Sequence, residues 1–203
     1  MFIGRTQWTH ICMKRDTYES GEDWAMSLNV TKFGIDGPMV IHGVRHGDDR
    51  GFFSETYQQQ RYDELGLPHF VQENLSKSSR GVVRGLHWQS PDMAQGKLVT
   101  CLRGSIVDFV VDIRVGSPTF MEFLTIPVSD AALDSIWVPE GFAHGFLALE
   151  DNTLVQYKVN RFWSASHERA LNASWVLDRV GSEALGGFEG EFVISGKDAA
   201  AAA

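Results

Sequence analysis

Between residues 70 and 161 the chain is a succession of short apolar runs broken by turn residues. Runs at 70–76, 81–89, 96–102, 105–114, 120–128, 135–138, 144–150 and 153–161 are rich in Val, Ile, Phe and Thr and have strand lengths. Arg103-Gly104-Ser105, Val115-Gly116-Ser117-Pro118 and Pro139-Glu140-Gly141 supply turns between them. Strands spaced this closely predict a mainly β fold, an antiparallel double-sheet sandwich or barrel rather than βαβ units. One helix is predicted near 56–65, where Tyr57, Tyr62 and Leu65 would pack one side before Gly66 ends it. No internal repeat and no low-complexity linker divides the pattern.

Two stretches depart from simple alternation. Ile106-Val107-Asp108-Phe109-Val110-Val111-Asp112-Ile113 is almost continuously apolar, so its two carboxylates need partners, and Asp108 is predicted to point inward. In Arg84-Gly85-Leu86-His87-Trp88-Gln89, strict alternation places Arg84, Leu86 and Trp88 on one face and His87 and Gln89 on the other. A histidine inside a β-rich core, with Lys97 on the next strand, is costly without a purpose. It is a structural residue, a metal ligand or a base.

Composition narrows the class. The 203 residues suit one domain with a sizeable core, and 43% hydrophobic with 22% charged is ordinary for a soluble globular protein. A net charge of −8 argues against a nucleic-acid polymer or an anionic membrane surface as partner, although a local Arg and Lys cluster would still take an anion. Two cysteines, Cys12 and Cys101, indicate neither a disulfide framework nor a Cys-rich zinc site. No apolar run reaches transmembrane length, and the N-terminus lacks the apolar core of a signal peptide, so a cytoplasmic location is expected. Residues 1–25 show no clear period and read as a poorly defined extension. The folded domain is expected over 26–198, and the alanines of 199–203 read as a tail or cloning remnant.

Several clusters offer chemistry: Arg84, His87 and Lys97; Pro139 through Phe146 with His144; Tyr157-Lys158 with His167-Glu168-Arg169; and Ser195-Gly196-Lys197-Asp198. Each also has a bland reading. A lone strand histidine is more often a satisfied core or surface residue, Pro-Glu-Gly is first a turn, and Lys197-Asp198 would ordinarily be solvated. Pro139-x-Gly141-x-x-His144 matches the second half of the metal-binding cupin signature. The first half should supply His-x-His and a Glu, whereas this chain has His87 with Gln89 and then Lys97. Two histidines fall short of the usual ligand number and a lysine cation opposes a metal, so no metal is expected.

Taken together the segments resemble the dTDP-4-dehydrorhamnose 3,5-epimerase family, cupin-fold enzymes acting on sugar nucleotides. The resemblance lies in Asp49-Arg-Gly-Phe-Phe53, Phe70-Val-Gln-Glu-Asn74, Ser78-Ser-Arg-Gly-Val-Val-Arg-Gly-Leu-His-Trp-Gln89 and Lys97-Leu-Val99. It continues in Val111-Asp-Ile-Arg114, Gly116-Ser-Pro-Thr-Phe120, Trp137-Val-Pro-Glu-Gly-Phe-Ala-His-Gly-Phe146 and Ile194-Ser-Gly-Lys-Asp198. It implies a cupin-like jelly roll and epimerisation of a dTDP-4-keto-6-deoxyhexose at C3, with C5 as well or C3 alone. A ketoisomerase or dehydratase on the same scaffold, a metal-dependent cupin and an idle binding module are the alternatives.

The resemblance also implies roles. His87 is the base, Asp198 its carboxylate partner, Lys97 the cation facing the C4 oxygen and Tyr157 the acid. Arg84 and Lys197 would bind the diphosphate. Gln72 and Asn74 would face the nucleotide, with Arg50 and Glu55 reaching it from the partner subunit of a homodimer, and Phe52 would be a further substrate contact. His144 and Glu168 match further site positions, and Asp108 would balance charge near Lys97 or His87. No cofactor is implied, because the substrate's ketone is the electron sink. Phe162-Trp163 stands where the family usually has Tyr-Tyr, leaving Trp163 to stack on a base or wall the pocket without a phenol hydroxyl. Residues 171–192 also depart from the usual pattern.

Overall fold

The computed structural model describes residues 28–202, so the extension 1–25 and Cys12 lie outside the described residues. The strands are β1 (Val30–Lys32), β2 (Met39–Ile41), β3 (His46–Asp48), β4 (Gly51–Phe53), β5 (Gln72–Ser78), β6 (Val82–Gln89) and β7 (Lys97–Arg103). They continue as β8 (Ser105–Asp112), β9 (Phe123–Ser129), β10 (Ser135–Val138), β11 (Phe142–Ala148), β12 (Thr153–Val159), β13 (Glu168–Ala170) and β14 (Val193–Ile194). The α-helices are α1 (Gln59–Glu64), α2 (Ser174–Leu177) and α3 (Gly196–Ala199), each short.

One six-stranded sheet has the order β1-β2-β10-β7-β12-β5. The other runs β13-β6-β11-β8-β9, with β14 beside β6, and β3 pairs β4 as a separate hairpin. Among the described strands every pairing is antiparallel except β14 with β6. The result is the antiparallel sandwich that the spacing of apolar runs predicts, in the jelly-roll form that the resemblance implies.

Three apolar layers explain the runs. Val99, Cys101, Ile106, Val110, Ile136, Phe146 and Val155 meet between the sheets. Val107, Phe109, Val111 and Leu147 point to the outer side of the second sheet, where Val176, Leu185 and Phe188 cover them. Strand β8 is therefore buried on both faces, which is why its sequence does not alternate. On the outer side of the first sheet, Met39, Leu98 and Trp137 lie under Tyr62 and Leu67. Helix α1 occupies the centre of the predicted 56–65 segment, with Tyr62 buried.

Strand ends differ from expectation for local reasons. The 105–114 run stops at Asp112 because its carboxylate accepts bonds from the Arg114 backbone N–H and guanidinium and from the Ser117 and Thr119 hydroxyls, turning the chain. The 120–128 run begins only at Phe123, since Met121 sits at φ 65 in the turn before it. At the far end, Ala199 and Ala202 accept hydrogen bonds from Asn172.

Candidate active site

At one end of the sandwich a cavity of about 290 Å³ opens between the sheets. The first sheet contributes Gln72 and Asn74 from β5, Lys97 from β7 and Tyr157 from β12. The second contributes His87, Trp88 and Gln89 from β6 and Glu168 from β13, with Gln95 and Trp163 from loops. Register explains the convergence. Tyr157 lies opposite Asn74, and Val159 opposite both Gln72 and Lys97, so these side chains share the inner face.

Strand β6 corrects the alternation expected for Arg84. His87 lies opposite His144 and Arg84 opposite Phe146, so three steps on β6 span two on β11. This bulge flips the parity and brings Arg84 to the same face as His87, while Val83 and Leu86 pack outward. Gly85 makes it possible. It sits at φ +111, and a Cβ there would come within 2.6 Å of the His144 carbonyl oxygen. The Arg84 guanidinium then donates to the Ser78 hydroxyl and the Lys77 carbonyl, each at 3.0 Å. Trp88 packs against the outer core and also lines the cavity.

The imidazole of His87 donates from Nε2 to Oδ1 of Asp198 at 2.6 Å. Asp198 is almost fully buried, and its Oδ2 accepts from the Gly85 N–H at 3.4 Å. Lys97 reaches from the first sheet to donate its Nζ to the His87 carbonyl at 2.9 Å. Burial drives its pKa down to about 8, with the Asp108 and Glu168 charges opposing that fall. Beside His87, on the neighbouring strand β11, His144 donates to Asp108 at 2.7 Å. Burial raises the Asp108 carboxyl pKa in spite of His144 and Lys97, and its Oδ1 has no hydrogen-bond partner. Asp108 is fully buried, so it meets the cavity only through those neighbours.

Tyr157 is half-buried. Burial pushes its phenol pKa up, Arg84 draws it down and Glu168 raises it again. Glu168 pairs with Lys197 at 2.8 Å, tying that lysine to the cavity wall. Gln72 Oε1 accepts the Trp163 backbone N–H at 3.0 Å and so holds the indole on the wall. The β3–β4 residues Arg50 and Phe52, and Glu55 after them, do not line this cavity. Arg50 bonds to Asp48, and Glu55 to Arg61 at 3.1 Å.

Trp88, Gln89 and Gln95 line the cavity without having been singled out from sequence as ligand contacts. Gln89 is legible as the next inward position after His87, and its Oε1 fixes the Ser164 N–H at 3.0 Å. Gln95, in a loop, carries no such signal. Among the described residues no group of three or more His, Cys, Asp or Glu is arranged to hold a metal ion.

The family model for dTDP-4-dehydrorhamnose 3,5-epimerase matches residues 32–203. A dTDP-4-dehydrorhamnose 3,5-epimerase of Shigella flexneri is 44% identical over 146 residues, 71% of this chain and 81% of the relative. The crystal structure of a dTDP-6-deoxy-D-glucose-3,5-epimerase from Legionella pneumophila, in complex with dTDP-4-keto-L-rhamnose, superposes with a TM-score of 0.77. It is 38% identical, covering 86% of this chain and 92% of that one. A 3'-monoepimerase from Streptomyces bikiniensis, in complex with dTDP-quinovose, is 27% identical with a TM-score of 0.73, covering 84% and 85%. The chain belongs to the dTDP-4-dehydrorhamnose 3,5-epimerase family.

Proposed function

We propose that this protein, an isomerase, epimerises a dTDP-4-keto-6-deoxyhexose at C3, and at C5 in the same pocket, during deoxysugar biosynthesis. The observation that carries the reading is the opposition of two groups. An imidazole with a carboxylate partner stands on one sheet and a phenol stands on the other, with a buried lysine reaching across. Inversion needs a base and an acid on opposite faces of the sugar ring, and the gap between the sheets supplies them.

With Nε2–H held by Asp198, the other ring nitrogen of His87 carries the lone pair that takes the C3 proton. The electrons of the C3–H bond move into the C3–C4 enolate, and O4 gains negative charge that the cation of buried Lys97 offsets. Tyr157 then gives its proton to C3 from the other face. Its raised pKa keeps it protonated and ready to donate. The phenolate is reprotonated from solvent and His87 releases its proton, so the cycle closes without a cofactor. Arg84 and Lys197 bind the diphosphate, and Gln72, Asn74, Trp163 and Glu168 bound the rest of the substrate. His144 and Asp108 support the floor.

The same reading makes the protein a homodimer, with Arg50 and Glu55 reaching the neighbouring site and Phe52 a further substrate contact. The exposed β3–β4 hairpin supports it, since Phe52 and Phe53 are 52% and 69% exposed. A cytoplasmic location belongs to the reading too. No helix among the described residues is long and apolar enough to cross a membrane, and the free thiol of Cys101 suits a reducing compartment.

Turnover in D₂O tests this function by where the label enters. Deuterium at C3 and C5 supports double epimerisation, and deuterium at C3 alone makes the enzyme a 3-epimerase. The second outcome has its own support, because Trp163 lines the cavity where the family usually carries a tyrosine. A product with the keto group moved would replace the reading with a ketoisomerase. Substrate recovered without label or change would overturn it.

A further inference from the structure

We infer that Asn172 is a positioning residue for the His87–Asp198 pair, acting by fastening the segment that carries Asp198. The inference rests on the proposed pairing of base and carboxylate above. Asp198 lies in the four-residue helix α3, which is too short to hold its own geometry. Ahead of it, Ser195 Oγ accepts the Asp198 N–H at 3.1 Å, and β14 pairs with the start of β6. The Lys197–Glu168 ion pair is largely solvated on the lysine side and anchors weakly.

Behind Asp198 the anchor is Asn172. Its backbone N–H donates to the Ala202 carbonyl at 2.7 Å, and its side-chain Nδ2 donates to the Ala199 carbonyl at 2.9 Å. Asn172 Oδ1 accepts the Ser174 N–H at 2.9 Å, which aims the amide NH₂ at the tail. Leu171, one residue earlier, exchanges both backbone hydrogen bonds with Leu86 at 2.9 and 3.0 Å and bridges Ala202 in parallel. Leu86 immediately precedes His87. One dipeptide therefore holds the strand bearing the imidazole and the segment bearing the carboxylate, and so sets both sides of a 2.6 Å hydrogen bond.

Asn172→Asp tests this with little change of shape. The carboxylate still accepts the Ser174 N–H, but it presents an oxygen to the Ala199 carbonyl where a donor stood. The expected result is a kcat loss of about 10- to 100-fold, the scale of a small misplacement of catalytic groups, with KM within about two-fold of wild type. The low-field proton resonance of the His87–Asp198 hydrogen bond should vanish with it. In an Asp198→Asn background the same change should cost nothing further, because its only route to the chemistry is gone. Wild-type kcat with the resonance intact, or an equal loss in the Asp198→Asn background, would overturn the inference. Wild-type kcat in Asp198→Asn alone would instead overturn the pairing itself. If Asn172→Asp fails to fold, truncation after Ala201 removes the Ala202 carbonyl and should lower kcat by about 3- to 10-fold, the worth of roughly one hydrogen bond. An unchanged kcat there would count against the inference equally.

Discussion

Replacing Lys97 by Met should make the protein more stable and nearly inactive at once. Lys97 is buried and its pKa falls from 10.5 to about 8. At about 1.4 kcal/mol per tenfold change, that fall means roughly 3 kcal/mol against the charged form. Methionine fills a similar volume without a charge. Part of the gain is lost because the His87 carbonyl loses a donor at 2.9 Å, the attraction of buried Asp108 being already contained in the fall. The net expected at pH 7 is a gain of about 1–2 kcal/mol, which for a domain of this size raises Tm by roughly 2–8 °C. The pH dependence carries the sign. Between about 8 and 10.5 the unfolded chain holds a proton on Lys97 that the folded chain has released, so wild-type stability rises with pH across that window. The advantage of Lys97→Met must therefore shrink as pH climbs from 8 towards 10.5. Urea titrations of both proteins across this range, with kcat at pH 7, make the comparison. The expected turnover loss is about 10²- to 10³-fold, that of a missing charge-stabilising donor. A Lys97→Met protein less stable than wild type at pH 7, or as active, would refute the reasoning.

Tyr157→Phe should uncouple exchange from inversion, since His87 can return its own proton to the same face. Deuterium should enter C3 faster than epimer forms, and equal losses of both rates would count against Tyr157 as the acid. Gly85→Ala should destabilise by about 3 kcal/mol or more, because the residue sits at φ +111 and its Cβ would press on the His144 carbonyl at 2.6 Å. Denaturant midpoints check this, and a neutral result would mean the β6 bulge is easily remade. In the wild type, kcat/KM should fall as pH rises through about 8, where Lys97 loses its proton. A rate flat to pH 10 would show that the lysine charge is not used.

The long strands were legible because Val, Ile, Phe and Thr recur at strand spacing between Gly and Pro turns. Strands β1 to β4 were not, since three residues are too few to display a period. Alternation placed His87 inward but put Arg84 on the wrong face, because one extra residue in a strand reverses every position before it. The clue was Gly85, a glycine inside a strand where a neighbouring backbone comes close. Residues 171–192 gave no periodic signal. Their short helices are held by packing on the outer face of the second sheet, through Val176, Leu185 and Phe188. The place of Asp198 depends on that packing and on the Asn172 contacts, which local pattern cannot reveal. The family motifs supplied the pairing of Asp198 with His87 as an expectation, and the structure brings the two within hydrogen-bond distance.

The central claim is that His87 removes the C3 proton. Its most direct test is the rate of deuterium entry at C3 of a dTDP-4-keto-6-deoxyhexose in D₂O, measured for wild type and for His87→Asn. Asparagine keeps a polar side chain but cannot take a proton at neutral pH. Exchange should fall by about 10²- to 10⁴-fold while dTDP binding stays intact. Exchange at the wild-type rate in His87→Asn would contradict the account and move the base to another residue of the cavity.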